Sequence, residues 1–358
     1  MRWIRSSILT ILIVITLYVA YHHYFVEKKS KFWRFQPVTR KKIKQEEERI
    51  GDIVDNPLSE KHISTIKKCQ FEKVENISDW PQLVTLLDNH YIEGVKYSEP
   101  YLKWELKRGE SWLLRDTGKV IGSISEIPLS ILIEGDERPF MYVDHLTVVK
   151  EERGKGVATK LISKGVQIGV ERDVPRFIFR IEEKPLPYPY LCKLSNYYGT
   201  VNEKCIGKMN YKRYSSDTSN VDHDAIYQFW LNIVKKHKFS MIMNSDQFKK
   251  YATSNDIVTT YYWIKKGVVI GLLIGFKTLF RGESVTEIVF VHCLEGEEEI
   301  MFANINDLDT KWITIHSYSD HMKWIKKLGL KRSHDLYIHL YNFHHPRIEA
   351  KELHFGMG

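Results

Sequence analysis

The sequence predicts an α/β protein built from two similar halves with mixed, mainly antiparallel sheets, preceded by an N-terminal transmembrane helix. Three observations predict this architecture. An apolar run, residues 8–25, is nearly long enough to span a bilayer. Two stretches with the same strand, turn, strand pattern, 112–122 and 262–271, lie in different halves of the chain. A strand at 141–149 leads through a glycine turn into a helical pattern.

The apolar run has the sequence ILTILIVITLYVAYHHYF. A membrane-spanning helix needs about 20 residues, so the run predicts a single-pass anchor over residues 1–27 and a membrane as a partner. A cleaved signal peptide is the alternative, but the run ends in Tyr21-His22-His23-Tyr24, without a small-x-small cleavage pattern. Two basic residues precede the run and eight follow it before residue 45. This bias predicts that the body of the protein faces the cytosol.

Composition limits the class of protein. The chain has 358 residues, of which 43% are hydrophobic, enough for two domains with their own cores. A formal net charge of +8 and a pI near 9.0 favour nucleic acid, an anionic membrane surface or a phosphorylated cofactor as partner, and charge alone does not choose among them. The four cysteines form no Cys-x-x-Cys pair, which argues against a zinc site or a disulfide framework. We predict no metal and a reducing compartment.

Charge and polarity divide the rest of the chain. Residues 28–60 are rich in Lys, Arg and Glu and predict a solvated tether. The aromatic segment 31–38 interrupts this tether, and we expect it either to be buried against the body or to anchor beside the bilayer. Small polar residues at 215–220 predict a connection between an N-terminal half, 61–214, and a C-terminal half, 221–358.

Hydrophobic spacing predicts the elements of each half. A helix is predicted after Trp80, where leucines recur at helical spacing. Strands of the N-terminal half are predicted at 112–114, 120–122, 129–133 and 141–149. In the C-terminal half, 262–271 and 286–293 repeat the hairpin and the last strand. The following residues, 294–299, are acidic where a phosphate would need donors, so we predict one phosphate-binding site per chain.

The glycine turn after the 141–149 strand has the sequence Arg153-Gly154-Lys155-Gly156-Val157-Ala158. Glycines allow the backbone to turn tightly and to approach an anion closely. Free N–H groups at the start of the following helix would point at a phosphate. Arg153 and Lys155 add positive charge. An ordinary basic turn that caps a surface helix is the alternative, but the position after the strand favours phosphate binding.

The pattern Arg-x-x-Gly-x-Ala in this turn resembles the pyrophosphate loop of the GNAT acyltransferase superfamily. Over about residues 31–358, the chain also resembles the glycylpeptide N-myristoyltransferase family, whose fold is two fused GNAT-like halves. The motifs that carry this resemblance are Lys31-Phe32-Trp33 with Gln36-Pro37-Val38, Tyr91-Ile92-Glu93, Tyr97-Ser98 with Leu102 and Trp104, Asp144-His145-Leu146, and Leu340-Tyr341-Asn342-Phe343.

The resemblance implies direct transfer of a myristoyl group from myristoyl-CoA to the α-amine of an N-terminal glycine. Acyl-CoA is then a co-substrate, no cofactor is bound permanently, and the partners are acyl-CoA and proteins or peptides that begin with glycine rather than nucleic acid. Lys31, Phe32 and Trp33 would contact the acyl-CoA, together with the turn residues 153–158.

For catalysis, the resemblance implies that the backbone amides of His145 and Leu146 stabilise the thioester oxyanion. The α-amine has a pKa near 8, so a base must take its proton, and the family pattern implies the C-terminal carboxylate, here that of Gly358. A frayed terminus is the alternative. Tyr91 and Tyr198 are implied to bind the peptide.

Several departures from the family pattern concern the acceptor. The family's acidic, aromatic loop is shortened to Gly94-Val95-Lys96, its Thr-Ala-Gly segment is replaced by Ile181-Glu182-Glu183-Lys184, and an aspartate is lost near Ser317. His145 stands where the family has Phe. Asp144 replaces an asparagine, and we hypothesise that it holds the incoming ammonium. Two alternatives stay open: another acyl-CoA-dependent N-acyltransferase, or a non-catalytic acyl-CoA-binding protein.

Overall fold

The computed structural model describes residues 32–33, 36–38, 50–92, 94–200, 211–216, 218–298, 305, 308 and 310–356. The predicted membrane anchor, Lys31 and Gly358 lie outside these residues. Within them, the helices are too short or too polar to cross a membrane.

The described residues form strands and helices that we number in chain order. The strands are β1 (Gly51–Asp52), β2 (Gln70–Lys73), β3 (Val95–Lys96), β4 (Glu110–Asp116), β5 (Lys119–Ile133), β6 (Asp136–Val148), β7 (Phe177–Glu182), β8 (Cys192–Thr200), β9 (Tyr211–Arg213), β10 (Phe239–Ile242), β11 (Val258–Lys265), β12 (Val268–Phe280), β13 (Glu283–Cys293), β14 (Trp312–His316), β15 (Lys331–Tyr341), β16 (Phe343–His344) and β17 (Leu353–His354). The helices are α1 (Glu60–Ile66), α2 (Asp79–His90), α3 (Glu99–Glu105), α4 (Val157–Glu171), α5 (Asn220–Val234), α6 (Ser245–Ala252) and α7 (His321–Lys327).

Two long antiparallel strands, β5 and β6, organise the N-terminal half. The predicted strands 120–122 and 129–133 are one continuous strand, β5. This continuity arises because β5 pairs along one edge first with β4 and then with β10, while β6 runs along its other edge. From β6 the chain passes through α4 to β7, which pairs with β6 in parallel. The predicted sequence of strand, turn and helix is therefore present.

The C-terminal half repeats this strand pattern, as predicted. β11 and β12 form an antiparallel hairpin, β12 pairs with β13, and β13 pairs with β14 in parallel. At the hairpin turn, Lys266 and Gly267 have φ values of 52° and 79°. The second of these left-handed positions is one that glycine adopts without strain.

Strands of the two halves belong to one sheet. Over the described residues, fifteen strands form this sheet, with β7, β15, β8 and β14 at its centre. β10 pairs with β5 of the first half, and β3 and β9 pair with β12 and β11 of the second. The halves therefore interlock through exchanged strands, and the predicted domain limits stay predictions.

Two helices cover the N-terminal half of the sheet. The predicted leucines of α2, among them Leu83 and Leu87, are fully buried. In α4 the buried positions include Leu161 and Gly165. A Cβ atom at Gly165 would lie 2.2 Å from Oε1 of Glu126 on β5, so a larger residue there would have to displace this buried side chain.

The aromatic segment of the tether packs against the body. Gln36 and Val38 are buried, and Oε1 of Gln36 accepts a hydrogen bond from the Tyr341 hydroxyl at 2.7 Å. The Trp33 ring lies 5.1 Å from the ring of Tyr188. Of the two expectations for this segment, burial against the body is confirmed for the residues that the structure describes.

Candidate functional site

A bulge in β6 creates the candidate site. Ser125 and Ser123 of β5 face Asp144 and Thr147 of β6, so β6 carries one more residue than β5 between these pairs. His145 lies in the bulge with φ of 50°, in the left-handed region that is unusual for a residue with a side chain. The bulge turns Asp144 and His145 into the interior, where both are buried.

Asp144 is a buried carboxylate with three donors. Tyr91 donates to Oδ1 at 2.5 Å, Tyr142 donates to Oδ2 at 2.8 Å, and the backbone N–H of His145 donates to Oδ1 at 2.7 Å. Burial alone would raise the pKa of Asp144, but the positive charge of Arg180 and the hydrogen bonds from Tyr91 and the His145 amide hold this pKa below its usual value. Asp144 is therefore ionised at neutral pH.

The His145 side chain faces a second buried carboxyl group. Its Nε2 lies 3.4 Å from Oε2 of Glu105, and these side chains are only 1% and 4% exposed. Burial, reinforced by the charge of Asp144, raises the pKa of Glu105 well above its usual value. Burial lowers the pKa of His145. Since burial disfavours the charged form of each group, the interior favours a neutral Glu105 beside a neutral His145.

The predicted oxyanion amides lie in the same bulge. Because the His145 amide already donates to Asp144, this amide must leave the carboxylate before it can bind an oxyanion. Leu146 follows it and is half-buried. The oxyanion role of both amides stays a prediction.

The glycine turn presents open backbone at the start of α4. Gly154 and Gly156 have φ values of 82° and 84°, and a Cβ atom built at either position meets nothing within 4 Å. Gly156 is the residue before the helix and has no side chain to cap the first N–H groups of Val157 and Ala158. An anion could accept hydrogen bonds from these N–H groups, and diphosphate binding at the turn stays a prediction.

The basic side chains of the turn are partly engaged by the protein. Arg153 donates to the carbonyl oxygen of Val148 at 3.1 Å and to that of His90 at 2.6 Å. Lys155 forms an exposed ion pair with Glu152 at 2.9 Å. Arg153 therefore holds the turn against the end of α2, whereas Lys155 makes only an exposed ion pair.

The predicted acyl-CoA segment lies beside the same helix. Trp33 packs against the hydrophobic cluster that contains Val166 and Ile168 of α4. The Phe32 ring lies 4.9 Å from that of Trp33 in an edge-to-face contact. The structure thus places Trp33 against a cluster to which this helix contributes, and Phe32 beside Trp33.

A second cluster of titratable side chains lies near Asp144, formed by Arg180 of β7, Glu287 of β13 and His316 of β14. Nε2 of His316 lies 2.8 Å from Oε1 of Glu287, and Nη1 of Arg180 lies 3.8 Å from the same oxygen. Burial would raise the pKa of Glu287, but His316 and Arg180 hold it below its usual value. Ser317, where the family pattern has an aspartate, instead accepts a hydrogen bond from the Ser195 amide.

Tyr198 is separated from Asp144 by the order of the strands. It lies on β8, its side chain is 40% exposed, and its ring is 6.2 Å from that of Trp312. β7 and β15 lie between β6 and β8, which corresponds to about 14 Å at the usual strand spacing. Tyr91 therefore belongs to the Asp144 site, whereas Tyr198 lies outside it and its binding of the peptide stays a prediction.

The C-terminal tail is packed rather than frayed as far as the structure describes it. β17 pairs with β10, and the Tyr251 hydroxyl donates to the carbonyl oxygen of Gly356. The Phe355 ring lies 5.4 Å from the ring of Tyr142, which holds Asp144. Two more residues reach at most about 7 Å. The tail therefore leads toward the site, and the role of Gly358 stays a prediction.

Sequence reasoning missed Glu105, Arg180 and Glu287. A signal existed for Glu105, because it follows Tyr101 by four residues and so lies on the buried face of α3. Arg180 and Glu287 gave little signal, because a charged residue in an alternating strand usually faces solvent. Only the packing of several elements around β6 makes these positions internal.

Glu105, Asp144 and His145 each bring one potential ligand atom within 4.8 Å of the others. This spacing would suit a small cation. However, both oxygens of Asp144 already accept hydrogen bonds from tyrosines. The donor set therefore fits proton or ammonium chemistry better than a metal centre.

Comparisons with known proteins show similarity in sequence and in structure. A model of the acetyltransferase (GNAT) domain matches residues 73–178, which include the β6 bulge and the glycine turn. The glycylpeptide N-tetradecanoyltransferase of Kluyveromyces lactis is 29% identical over 154 residues, 37% of this chain and 34% of the relative. The Saccharomyces cerevisiae enzyme is 28% identical over 157 residues, 38% of this chain and 34% of the relative. Each match thus spans about a third of the relative's length.

The structural likeness extends much further along the chain. Saccharomyces cerevisiae N-myristoyltransferase with bound myristoyl-CoA has a TM-score of 0.76 to this protein and covers 89% of both chains at 14% identity. A likeness at this identity shows the fold. Sequence and structure therefore agree, and the chain's resemblance to the glycylpeptide N-myristoyltransferase family, with its α/β GNAT-like fold, is confirmed.

Proposed function

We propose that this protein transfers a fatty acyl group, myristoyl, from acyl-CoA to the N-terminal glycine amine of a protein substrate. The main support for the proposal is that a single strand, β6, connects two features of the site. β6 places an ionised, buried Asp144 at its bulge and ends at a glycine turn with free helix N–H groups. The first feature suits an ammonium acceptor, and the second suits the diphosphate of coenzyme A.

The donor would bind along α4. The N–H groups of Val157 and Ala158 would receive the diphosphate, with Lys155 free to turn toward it from its exposed pair with Glu152. Phe32 and Trp33 would line the acyl-CoA beside this helix, because Trp33 packs on a hydrophobic cluster that includes Val166 and Ile168 of α4. Lys31 would add a positive charge from outside the described residues.

The acceptor ammonium would pair with Asp144. Tyr91 and Tyr142 hold this carboxylate in place, and its ionised state in a buried site attracts a cation strongly. Without such a partner the negative charge costs free energy in the interior, and Arg180 offsets this cost only in part because it also faces Glu287 at 3.8 Å. The site therefore favours a primary amine that arrives protonated.

The reaction would proceed by direct attack. The amine nitrogen forms a bond to the thioester carbonyl carbon, the carbon–sulfur bond breaks, and the coenzyme A thiolate leaves. Negative charge that builds on the carbonyl oxygen would be stabilised by the Leu146 amide, and by the His145 amide once it leaves Asp144. The packed tail supports a position of the Gly358 carboxylate near the amine.

An acyl-transfer assay with the full chain tests the proposal. Incubation with myristoyl-CoA and a peptide that begins with glycine should yield the myristoylated peptide by mass spectrometry and release free coenzyme A thiol. The same peptide with an acetylated N-terminus is the control and should not react. Tight acyl-CoA binding without transfer would favour a non-catalytic acyl-CoA-binding protein, and absence of both would overturn the proposal.

A different acyl-CoA-dependent N-acyltransferase is the second candidate. It is favoured by the replaced acceptor residues and by the general acetyltransferase (GNAT) model that matches residues 73–178. Acyl-CoAs of increasing chain length, tested with the same glycine peptide and with a lysine side-chain amine, separate the two. Preference for myristoyl-CoA and for the glycine α-amine supports the first proposal.

We also propose that residues 8–25 anchor the protein in a membrane as a single span, with the catalytic body in the cytosol. Support comes from the length of the apolar run and from the basic residues that follow it. Deletion of residues 1–27 should move the protein from the membrane fraction to the soluble fraction. Retention in the membrane fraction after this deletion would contradict the anchor.

A further inference from the structure

We propose that the pair formed by His145 and Glu105 takes up the proton that the attacking amine must lose. This inference rests on the proposed acyl transfer and assigns its proton acceptor within the described site. The C-terminal carboxylate, which the family resemblance implies, becomes the competing outcome of the test.

A chain of hydrogen bonds fixes where the proton of His145 lies. Nδ1 of His145 is 3.1 Å from the Ser125 hydroxyl, which donates to the Ser111 hydroxyl at 3.0 Å. Ser111 in turn donates to the carbonyl oxygen of Ile124 at 3.4 Å. A carbonyl only accepts, so Nδ1 must be the donor to Ser125. The lone pair of neutral His145 is therefore on Nε2, which faces Glu105.

Glu105 completes the acceptor. Among the described residues, its Oε2 makes no hydrogen bond and lies 3.4 Å from Nε2 of His145. Oxygens of Glu105 and Asp144 and a ring nitrogen of His145 all lie within 4.8 Å of one another, a separation that one water molecule bridges. An ammonium bound at Asp144 thus lies within reach of the pair.

The charged and titratable groups around His145 come from four elements or their ends. They are Glu105 of α3, Asp144 of β6, Arg180 of β7, and Tyr91 and Tyr97 at the ends of the segment between α2 and α3. Asp144 favours the protonated imidazole, whereas burial and Arg180 lower the pKa of His145. The imidazole is therefore unprotonated at neutral pH. When the ammonium loses its charge, the negative charge of Asp144 becomes available to stabilise a protonated His145.

The transfer leaves the total charge of the buried site unchanged. Before it, Asp144 is negative, the ammonium is positive and the pair is neutral. One proton then moves from the ammonium to Glu105 as the proton of Glu105 moves to Nε2, which leaves neutral Glu105 beside protonated His145. No net charge is created in the interior, where such a charge is costly.

The remaining steps complete the acyl transfer. The freed lone pair on nitrogen forms the bond to the thioester carbon, and the carbon–sulfur bond breaks. The second proton of the amine leaves with the thiolate as coenzyme A thiol. The pair returns its proton to solvent before the next turnover.

The pH dependence of kcat/KM tests the inference. In the wild type, kcat/KM should stay level from pH 8 to about pH 6.5, because the enzyme accepts the ammonium form and supplies its own base. His145→Asn keeps a residue that tolerates the left-handed φ of this position but cannot take a proton. Its kcat/KM should fall about tenfold per pH unit below pH 8, and so by about 30-fold at pH 6.5, since only neutral amine would react. Glu105→Gln should change the profile in the same direction.

Glu126→Gln is the matched control. Glu126 is a fully buried glutamate on β5, and both of its oxygens are without hydrogen-bond partners among the described residues. This variant should keep the wild-type profile. Acyl-CoA affinity and the melting temperature of each variant show whether the donor site and the fold are intact.

A wild-type pH profile in His145→Asn would overturn the inference and leave the C-terminal carboxylate as the acceptor. If His145→Asn does not fold, Glu105→Gln decides by the same criterion. Failure of the proposed function is distinguishable, because the wild type would then form no acylated peptide at any pH.

Discussion

The corresponding strands of the two halves, β6 and β13, both carry a bulge, but the bulge residue is polar in β6 and apolar in β13. In β6 the bulge holds His145 beside Asp144. In β13 the extra residue is Val289, between the partners of Ile274 and Gly275, and it is fully buried and apolar. The backbone of the fold thus offers the same irregularity twice. Only the side chains of the first half make it a polar site.

The loops after these strands differ in the same way. Gly154 and Gly156 leave open N–H groups at the start of α4. After β13, Gly296 also has a left-handed φ, of 85°, but the residues after it are acidic. Glu298 and Glu297 are engaged in ion pairs with lysines. Both loops thus contain a glycine with a left-handed φ, and only the first combines it with basic rather than acidic neighbours.

Among substitutions in the two halves, replacement of Asp144 should have the largest effect, on the KM for the glycine peptide. Asp144→Asn removes the charge that holds the ammonium, and loss of one partner of a buried charged pair costs about 2–5 kcal/mol. The KM for the glycine peptide should therefore rise by at least about 30-fold, while acyl-CoA affinity, measured by calorimetry, stays the same.

Asp79→Asn is the control for that experiment. Asp79 is also buried, and it accepts hydrogen bonds from the Glu75 and Asn76 amides at the start of α2, outside the proposed site. It should leave the peptide KM unchanged. Equal peptide KM values for Asp144→Asn and wild type would show that Asp144 does not bind the amine.

Low pH should destabilise the C-terminal half, because burial keeps histidines such as His321 from taking up protons while the protein is folded. Burial lowers the pKa of His321 to about 3, and its side chain is 1% exposed. The unfolded chain takes up a proton at this position below about pH 6.5 and the folded protein does not, so stability is lost as the pH falls. At pH 5 this amounts to about 2 kcal/mol.

The variant His321→Gln removes this titration. The decrease in its free energy of unfolding between pH 7 and pH 5, measured with urea, should be smaller than that of the wild type by about 2 kcal/mol. An equal decrease in both proteins would show that His321 protonates readily in the folded state.

The smallest expected effect concerns the glycines of the two loops. Gly156→Ala and Gly296→Ala both place a side chain at a left-handed φ, which costs about 1–2 kcal/mol of stability. Only Gly156→Ala should also weaken acyl-CoA binding, by about tenfold, because it shifts the N–H groups that receive the diphosphate. Equal acyl-CoA affinity in the two variants would place the diphosphate elsewhere.

Local sequence patterns predicted much of the fold. Helical spacing located α2 and α4, and the turn residues Gly118 and Gly267 located the hairpins of both halves, because each of these signals comes from residues adjacent in sequence. The division of β5 into two strands was wrong, since the polar residues between its apolar segments are buried by neighbouring strands.

The candidate site was predicted only in part. Asp144, Tyr91 and the glycine turn were found through motifs. Glu105 and Arg180 were missed, because their side chains become internal only when α3 and β7 pack around β6. The engagement of the His145 amide by Asp144 was likewise not predictable, since it depends on the φ of one residue in the bulge.

By itself, the sequence determined the periodicity of the strands and helices, the glycine turn, and the apolar run that we propose as an anchor, because these depend on the conformational preferences of neighbouring residues. The tertiary structure decided which charges lie in the interior and which groups face them. Contacts such as those of Tyr91 with Asp144 and of Glu105 with His145 join residues that are far apart in the chain. Their protonation states follow from burial, which no local pattern encodes.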